Sequence, residues 1–235
     1  MTGLAADEAE AVKRLTSQAE DGISDAVCDL LYGLARDVPE GQAIVEIGRG
    51  KGKSTVWLVR GSEAGKKNKV FSFASQKASP DTVNADFITN LAGAGIPDTL
   101  VSRHEAAEDA AQRWKENIGL LWVNTSYEYE DIKRVILVWQ RHLSSNARVA
   151  IHGCDQPGTG RVIRESTGSL GNFTYEQSVD TTKVLAIDGC THYWIINSDE
   201  IGICKYCGRK RNFKRLARET IETESSKRQA GRKGK

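Results

Sequence analysis

The sequence is poor in the features that mark several protein classes. Proline occurs four times in 235 residues, at 39, 80, 97 and 157, always between segments of regular hydrophobic periodicity, so no regular element is interrupted. No apolar run approaches the ~18 residues of a membrane span. The opening Met-Thr-Gly-Leu-Ala-Ala-Asp-Glu has neither a basic cluster nor an apolar stretch, which argues against a secretory leader. Five cysteines, an odd number, do not describe a disulfide framework. A cytoplasmic protein with reduced thiols is the expectation. Hydrophobic residues make up 39% of the chain, enough for one sizeable core, and the length suits one α/β domain with a small appendage.

Charge is unevenly spread. Residues 205–235 hold twelve Lys/Arg against three Glu, a net +9, so with +2 overall the first 204 residues carry −7. Residues 225–235 contain one Ala and nothing larger that is apolar. They cannot offset their own ordering entropy and are expected to be disordered.

Periodicity predicts an alternating chain. A helix is expected over 7–36, with Ile23, Val27, Leu30, Leu31 and Leu34 on its buried face and Pro39 and Gly41 after it. Strands follow at 43–47, 69–74, 99–103, 119–123 and 147–152, separated by helical patterns at 54–61, 81–93, 105–116 and 129–142. A helix near 159–167 precedes two strands, 173–179 and 183–188, joined by the polar Asp180-Thr-Thr182 as a closing hairpin. Such alternation predicts parallel β-α-β units, hence an open sheet whose ligands bind at the carboxyl ends of its strands.

One of those ends is distinctive. In Ile44-Val-Glu-Ile-Gly-Arg-Gly-Lys-Gly-Lys-Ser-Thr55 an apolar strand gives way to glycines at 48, 50 and 52, then to a helix. Glycines let backbone approach a ligand closely, and a helix start offers free N–H groups. The spacing is neither G-x-G-x-x-G nor G-x-x-x-x-G-K-[ST], since the leading glycine of a phosphate loop would fall on Ile47. A phosphate-loop NTPase is thereby disfavoured, also by Asn124 where a second acid would stand.

The order acidic-x-Gly-x-Gly-x-Gly from Glu46 to Gly52 resembles the first motif of the class I S-adenosylmethionine-dependent methyltransferases. Further on, Gly119-Leu-Leu-Trp-Val-Asn-Thr-Ser-Tyr-Glu-Tyr-Glu-Asp131, the helix through Trp139 and Arg148-Val-Ala-Ile-His-Gly-Cys-Asp155 resemble the branch of small-molecule and sugar O-methyltransferases related to macrocin methyltransferase. The likeness covers about residues 20–185. It implies a Rossmann-like, doubly wound sheet of seven strands over residues 1–188. It also implies S-adenosylmethionine as cofactor, held around Glu46, Gly48, Gly50, Gly52, Ser54, Ser75 and Asn124, and a small-molecule methyl acceptor. Candidate catalytic residues are His152, Asp155 and Tyr127.

This chain departs from the family pattern at several strand ends. Asn124-Thr125 replaces Asp-Gly, Tyr127 replaces His, and the fifth strand ends His152-Gly153 instead of His-Asp. The second strand offers Ser75 or Gln76 where the family has a ribose-binding acid. Cofactor binding is therefore expected to be weak. Asp155, Glu128 and Glu130 are displaced substitutes for the carboxylates that hold a divalent cation in some members, so no dependence on magnesium is expected.

Simpler roles stand beside these. Glu46 would cap the next helix or pair with Lys51 or Lys53, His152 would be an ordinary buried histidine, and Tyr127 and Tyr129 would pack a helix face. His104, Glu105 and Glu108 would lie in a solvated loop instead of contacting adenine.

From Gly189 a second signal begins. Cys190-x-His192, a short β segment, a turn at 198–202 and Cys204-x-x-Cys207-Gly supply two pairs of ligands across one hairpin, the set a tetrahedral structural zinc needs. Residues 189–213 resemble short zinc-ribbon-like tails and are too small to fold on their own core. Cys28 and Cys154 stand apart from this set. Arg209, Lys210, Arg211, Lys214 and Arg215 open a basic tail over 214–235 that would contact nucleic acid or another acidic partner, or merely keep the tail solvated. A methyltransferase and a non-catalytic protein that binds through its zinc module and tail are thus the two readings of the whole.

Overall fold

The computed structural model describes residues 22–74, 87–89, 91, 98–103, 105–168, 171–187, 194–205 and 210–214. Its central strands are the most apolar stretches of the chain. β1 (Ala43–Ile47), β2 (Val70–Phe73) and β4 (Ile118–Val123) are buried along their whole length, as strands covered on both faces must be. With β3 (Leu100–Arg103), β5 (Leu143–Ile151), β6 (Phe173–Val179) and β7 (Thr182–Ile187) they form one sheet in the order β3-β2-β1-β4-β5-β7-β6. All neighbours are parallel as far as β5, and β7 runs antiparallel to both β5 and β6. The strand order reverses between β1 and β4, which places a ligand crevice at their carboxyl ends.

Alternate residues of each strand feed two cores. Ile44, Val70, Leu120, Trp122 and Val184 face α1 (Asp25–Arg36) and α2 (Lys53–Ala64), together with Phe87 and Leu91. Val45, Phe73, Leu121, Val149 and Leu185 face α3 (Ala107–Arg113), α4 (Tyr129–Trp139) and α5 (Pro157–Thr167). Trp139, fully buried, fills the second core between Phe73 and Trp114, at ring-centroid distances of 5.7 and 5.1 Å.

Three expectations change. The first helix does not run unbroken from before residue 22: Gly22 has φ +67° and Ser24 is extended, its hydroxyl accepting from Val27 N–H as an N-cap. Residues 7–21 lie outside the described residues. The helix expected over 129–142 is α-helical to Trp139 and ends in a 3-10 turn, Gln140–His142. β5 then starts at Leu143, before the expected 147, because polar Ser144–Asn146 ride a register shift between Ile118 and Leu120 of β4. Of the helix expected over 81–93, residues 87–89 and 91 are described and are helical.

A second, three-stranded antiparallel sheet is formed by β8 (Trp194–Ile196), β9 (Ile201–Cys204) and β10 (Lys210–Asn212), in the order β10-β9-β8. Asn197 makes its turn, the side-chain carbonyl accepting from the N–H groups of Asp199 and Ile201 at 3.1 and 2.9 Å. Trp194 and Phe213 stack edge-on at 5.7 Å, covering Gly202.

α1 and α2 approach each other through Gly61, where a Cβ would lie 2.3 Å from the Tyr32 carbonyl oxygen. Gly61→Ala must therefore separate the helices. Chemical denaturation should show a loss of about 1–3 kcal/mol.

Candidate functional site at the carboxyl edge of the sheet

The loop after β1 is held from both sides. The amides of Gly48 and Arg49 donate to the Phe73 carbonyl at the end of β2, at 3.0 and 3.1 Å, and Asn124 N–H donates to the Ile47 carbonyl at 2.8 Å. Gly48 has φ +90°, and a Cβ there would lie 1.9 Å from the Asn124 carbonyl oxygen, so the β1 and β4 ends close together only over glycine. Gly52, φ +95°, is the N-cap of α2, and no side chain caps that helix.

Beneath the loop lies Glu46, fully buried. Its carboxylate accepts from the hydroxyls of Ser54 at 2.5 Å, Thr55 at 2.6 Å and Ser72 at 2.6 Å. Burial raises its pKa above the usual carboxylate range, while the three hydroxyls and the charge of Arg49 act the other way. Glu46 thus ties the first turn of α2 and β2 to the loop above it. Pairing of Glu46 with Lys53 is not what forms: Lys53 Nζ donates to the Ile23 carbonyl at 2.8 Å and lies 3.4 Å from Asp25.

Arg49 escaped sequence reasoning, since an Arg between two glycines gives no sign of burial. It is 1% exposed. Its guanidinium donates to Ser102 Oγ at 2.7 Å and lies 4.2 Å above the centre of the Phe87 ring, joining the loop to the end of β3. Burial lowers its pKa, opposed by Glu46.

On the other side of the crevice, Tyr127 lies across the end of β5. A Cβ on Gly153 would come within 2.4 Å of its ring, and one on Gly158 within 2.3 Å of its carbonyl oxygen. The side chain is 39% exposed, and burial followed by nearby Asp155 pushes the phenol pKa up. His152 is buried behind it, the ring centroids 6.3 Å apart, with Nδ1 2.9 Å from Thr182 Oγ1. Burial lowers the His152 pKa against the pull of Asp155 and a backbone hydrogen bond at Gly22. The histidine is therefore held neutral at physiological pH. Asp155, Glu128 and Glu130 are exposed on the same edge.

The structure thus brings Gly48, Gly50, Gly52, Asn124, Tyr127, His152 and Asp155 to one edge. Ser75, Gln76 and His104 lie outside the described residues. Glu105 forms an ion pair with Arg113, and Tyr129 is covered by Arg161 at 3.9 Å, so the packing role expected for Tyr129 holds. Of the four zinc candidates Cys204 is described, 2% exposed on the face of the small sheet that carries Trp194. Cys190, His192 and Cys207 are outside the described residues, and no cluster of three metal-capable side chains occurs among those described.

Strand order, the antiparallel seventh strand and the glycine loop at the switch point define the class I methyltransferase fold. A family model described as "Methyltransferase domain" matches residues 45–154. Among solved structures, the O-methyltransferase TomG of tomaymycin synthesis from Streptomyces achromogenes, in complex with S-adenosylmethionine, is similar at TM-score 0.59 and 18% identity, over 80% of this chain and 92% of that one. An O-methyltransferase from Bacillus cereus in complex with S-adenosylhomocysteine gives 0.59 and 17%, over 78% and 91%. CalS11, a TDP-rhamnose 3'-O-methyltransferase of calicheamicin biosynthesis, gives 0.53 and 16%, over 79% and 96%. A search of curated proteins finds no match. No described helix is long and apolar enough to cross a membrane.

Glu46 gives a prediction with a definite sign. A carboxyl whose folded pKa is raised stabilises most below its unfolded pKa and loses that contribution as pH rises through the folded value. Melting wild type and Glu46→Gln between pH ~4 and ~8 should show the wild-type melting temperature falling relative to the variant as pH rises. His152, whose lowered pKa acts with the opposite sign, is common to both proteins and cancels.

Proposed function

We propose that the protein is a methyltransferase that binds S-adenosylmethionine over Gly48–Gly52 and methylates an oxygen nucleophile on a small molecule or sugar. The observation that carries this is the loop itself: three positive-φ glycines, at 90°, 50° and 95°, between β1 and the uncapped start of α2, at the switch point of the sheet. Backbone without Cβ atoms, beside a helix start that no side chain caps, fits a ligand lying close along it. The matched family and the cofactor-bound neighbours support the same reading.

In this reading Gly48, Gly50, Gly52 and Asn124 line the cofactor, with Ser75 on the ribose side, while Glu46 and Ser54 fix the loop from below. S-adenosylmethionine supplies an already activated methyl group, so alignment of the acceptor is the main task left to the protein. Tyr127, kept protonated by burial and by Asp155, presents a phenol to the acceptor. Asp155 is the exposed carboxylate beside it that takes the acceptor's proton. His152, with Nδ1 at Thr182, orients the Tyr127 wall.

Titration calorimetry with S-adenosylmethionine and S-adenosylhomocysteine tests the reading. Both should bind weakly, for want of an acid on the ribose side, and Gly50→Val should abolish binding without unfolding the sheet. No heat and no thermal shift at millimolar ligand would leave the non-catalytic reading in its place.

We further assign Cys190, His192, Cys204 and Cys207 to one structural zinc. The supporting feature is the burial of Cys204 in a sheet of three short strands, which has little core of its own. Elemental analysis after purification without added metal should find about one zinc per chain, and Cys204→Ser should lose it while the seven-stranded sheet stays folded. A metal-free wild type overturns the assignment.

A further inference from the structure

The outer side of α4 carries one short stripe. Of residues 129–142 the exposed ones are Glu130, Arg134, Leu137 and Arg141, spaced four, three and four positions apart. That spacing puts them on a single line along α4 and the 3-10 turn that continues it. Leu137, 54% exposed, stands beside a cavity of about 220 Å³ whose lining includes the buried Ile136, Val162 and Phe173. A lone exposed leucine is ordinary. What distinguishes this one is the register of the charges around it. Glu130 and Arg134 form no ion pair with each other or with any other described residue, although they stand at i and i+4 of one helix. Arg141 is held at the far end of the stripe by its bonds to His142 Nε2 at 3.0 Å and the Ala111 carbonyl at 2.9 Å. These use two of the five N–H donors of a guanidinium.

We propose that α4 packs against α4 of a second copy of this chain, antiparallel about a two-fold axis. A four-three-four spacing reads the same from either end, and it is the spacing of a seam between packed helices. Reversing the stripe sets Glu130 opposite the second copy's Arg141 and Arg134 opposite its Leu137. Both ends then hold an acid against a base. At the centre the aliphatic stem of Arg134 lies over the leucine, beside the cavity. The contact is self-complementary, as a two-fold interface must be. Parallel packing would instead set Glu130 on Glu130 and each arginine on its counterpart.

Other occupants match the stripe less well. A phosphate backbone would meet Glu130, and an acidic helix that satisfied Arg134 and Arg141 would bring like charge to the same residue. The contact is small. Eleven residues of helix span ~16 Å, so the buried area falls short of the ~800 Å² per partner of a standard interface, and a dissociation constant on the order of tens of micromolar is expected. Glu130 in this arrangement serves the contact between copies, while Asp155 and Glu128 stay with the crevice.

Sedimentation velocity of the full-length protein from about 5 to about 500 µM, a range that spans so weak an interface, tests the proposal. Wild type should pass from monomer to dimer. Leu137→Asp, at an exposed position, should melt as wild type does and stay monomeric. Glu130→Arg and Arg141→Glu should each weaken association at least about tenfold, because like charges then meet at both ends. An equimolar mixture of those two variants opposes acid to base again at both ends, and it should recover the dimer. A wild type that is monomeric throughout overturns the proposal. So does a dimer that Leu137→Asp leaves unchanged, or a mixture that stays monomeric although both of its variants melt as wild type does.

Discussion

The Glu46 carboxylate is the junction on which the carboxyl edge is built. It belongs to β1, yet its oxygens take hydroxyl hydrogens from the first turn of α2 and from β2. Removing a carboxylate from water costs several kcal/mol, and hydrogen bonds to a charged group return about 1.5–3 kcal/mol each. Three of them recover part of that cost only if Ser54, Thr55 and Ser72 all stay in place. The bonds therefore fix where α2 starts relative to β2, leaving five residues to turn the chain. Only a backbone able to enter positive φ repeatedly can make so short a connection.

Much of this could be read in the sequence because the relevant signals were local. Apolar runs bounded by turns gave β1 and β6 their limits to the residue, and the spacing of Ile132, Ile136 and Trp139 gave α4 its buried face. The glycine spacing marked the turn between β1 and α2. What stayed hidden depends on partners distant in sequence. The partners of Glu46 were hidden, since nothing local says that Ser72, twenty-six positions on, completes its shell. Arg49 carries no local sign of burial, which depends on Phe87 and Ser102. The early start of β5 was invisible because Ser144–Asn146 have no strand-like alternation and are kept in the sheet by pairing with β4.

Departures from the family pattern that look independent in sequence prove to be physically coupled. Gly153 and Tyr127 are twenty-six positions apart, but the ring occupies the volume that any side chain at 153 would need. Gly158 accommodates the same loop from beneath. The tyrosine is thus seated on two glycines, and neither end of the arrangement can change alone. This edge of the crevice is set by an aromatic wall over a neutral histidine, with its carboxylates displaced to the rim.

The five tryptophans are distributed in a way that divides the molecule optically. Trp57 and Trp122 belong to the core under α1 and α2, whereas Trp139 and Trp114 belong to the opposite core. Trp194 stands alone in the small sheet against Phe213. Emission from a deeply buried indole lies to the blue of that from a partly exposed one. Single replacements of these residues by phenylalanine would thus give each half of the sheet and the appended module its own spectroscopic signal, with no label attached.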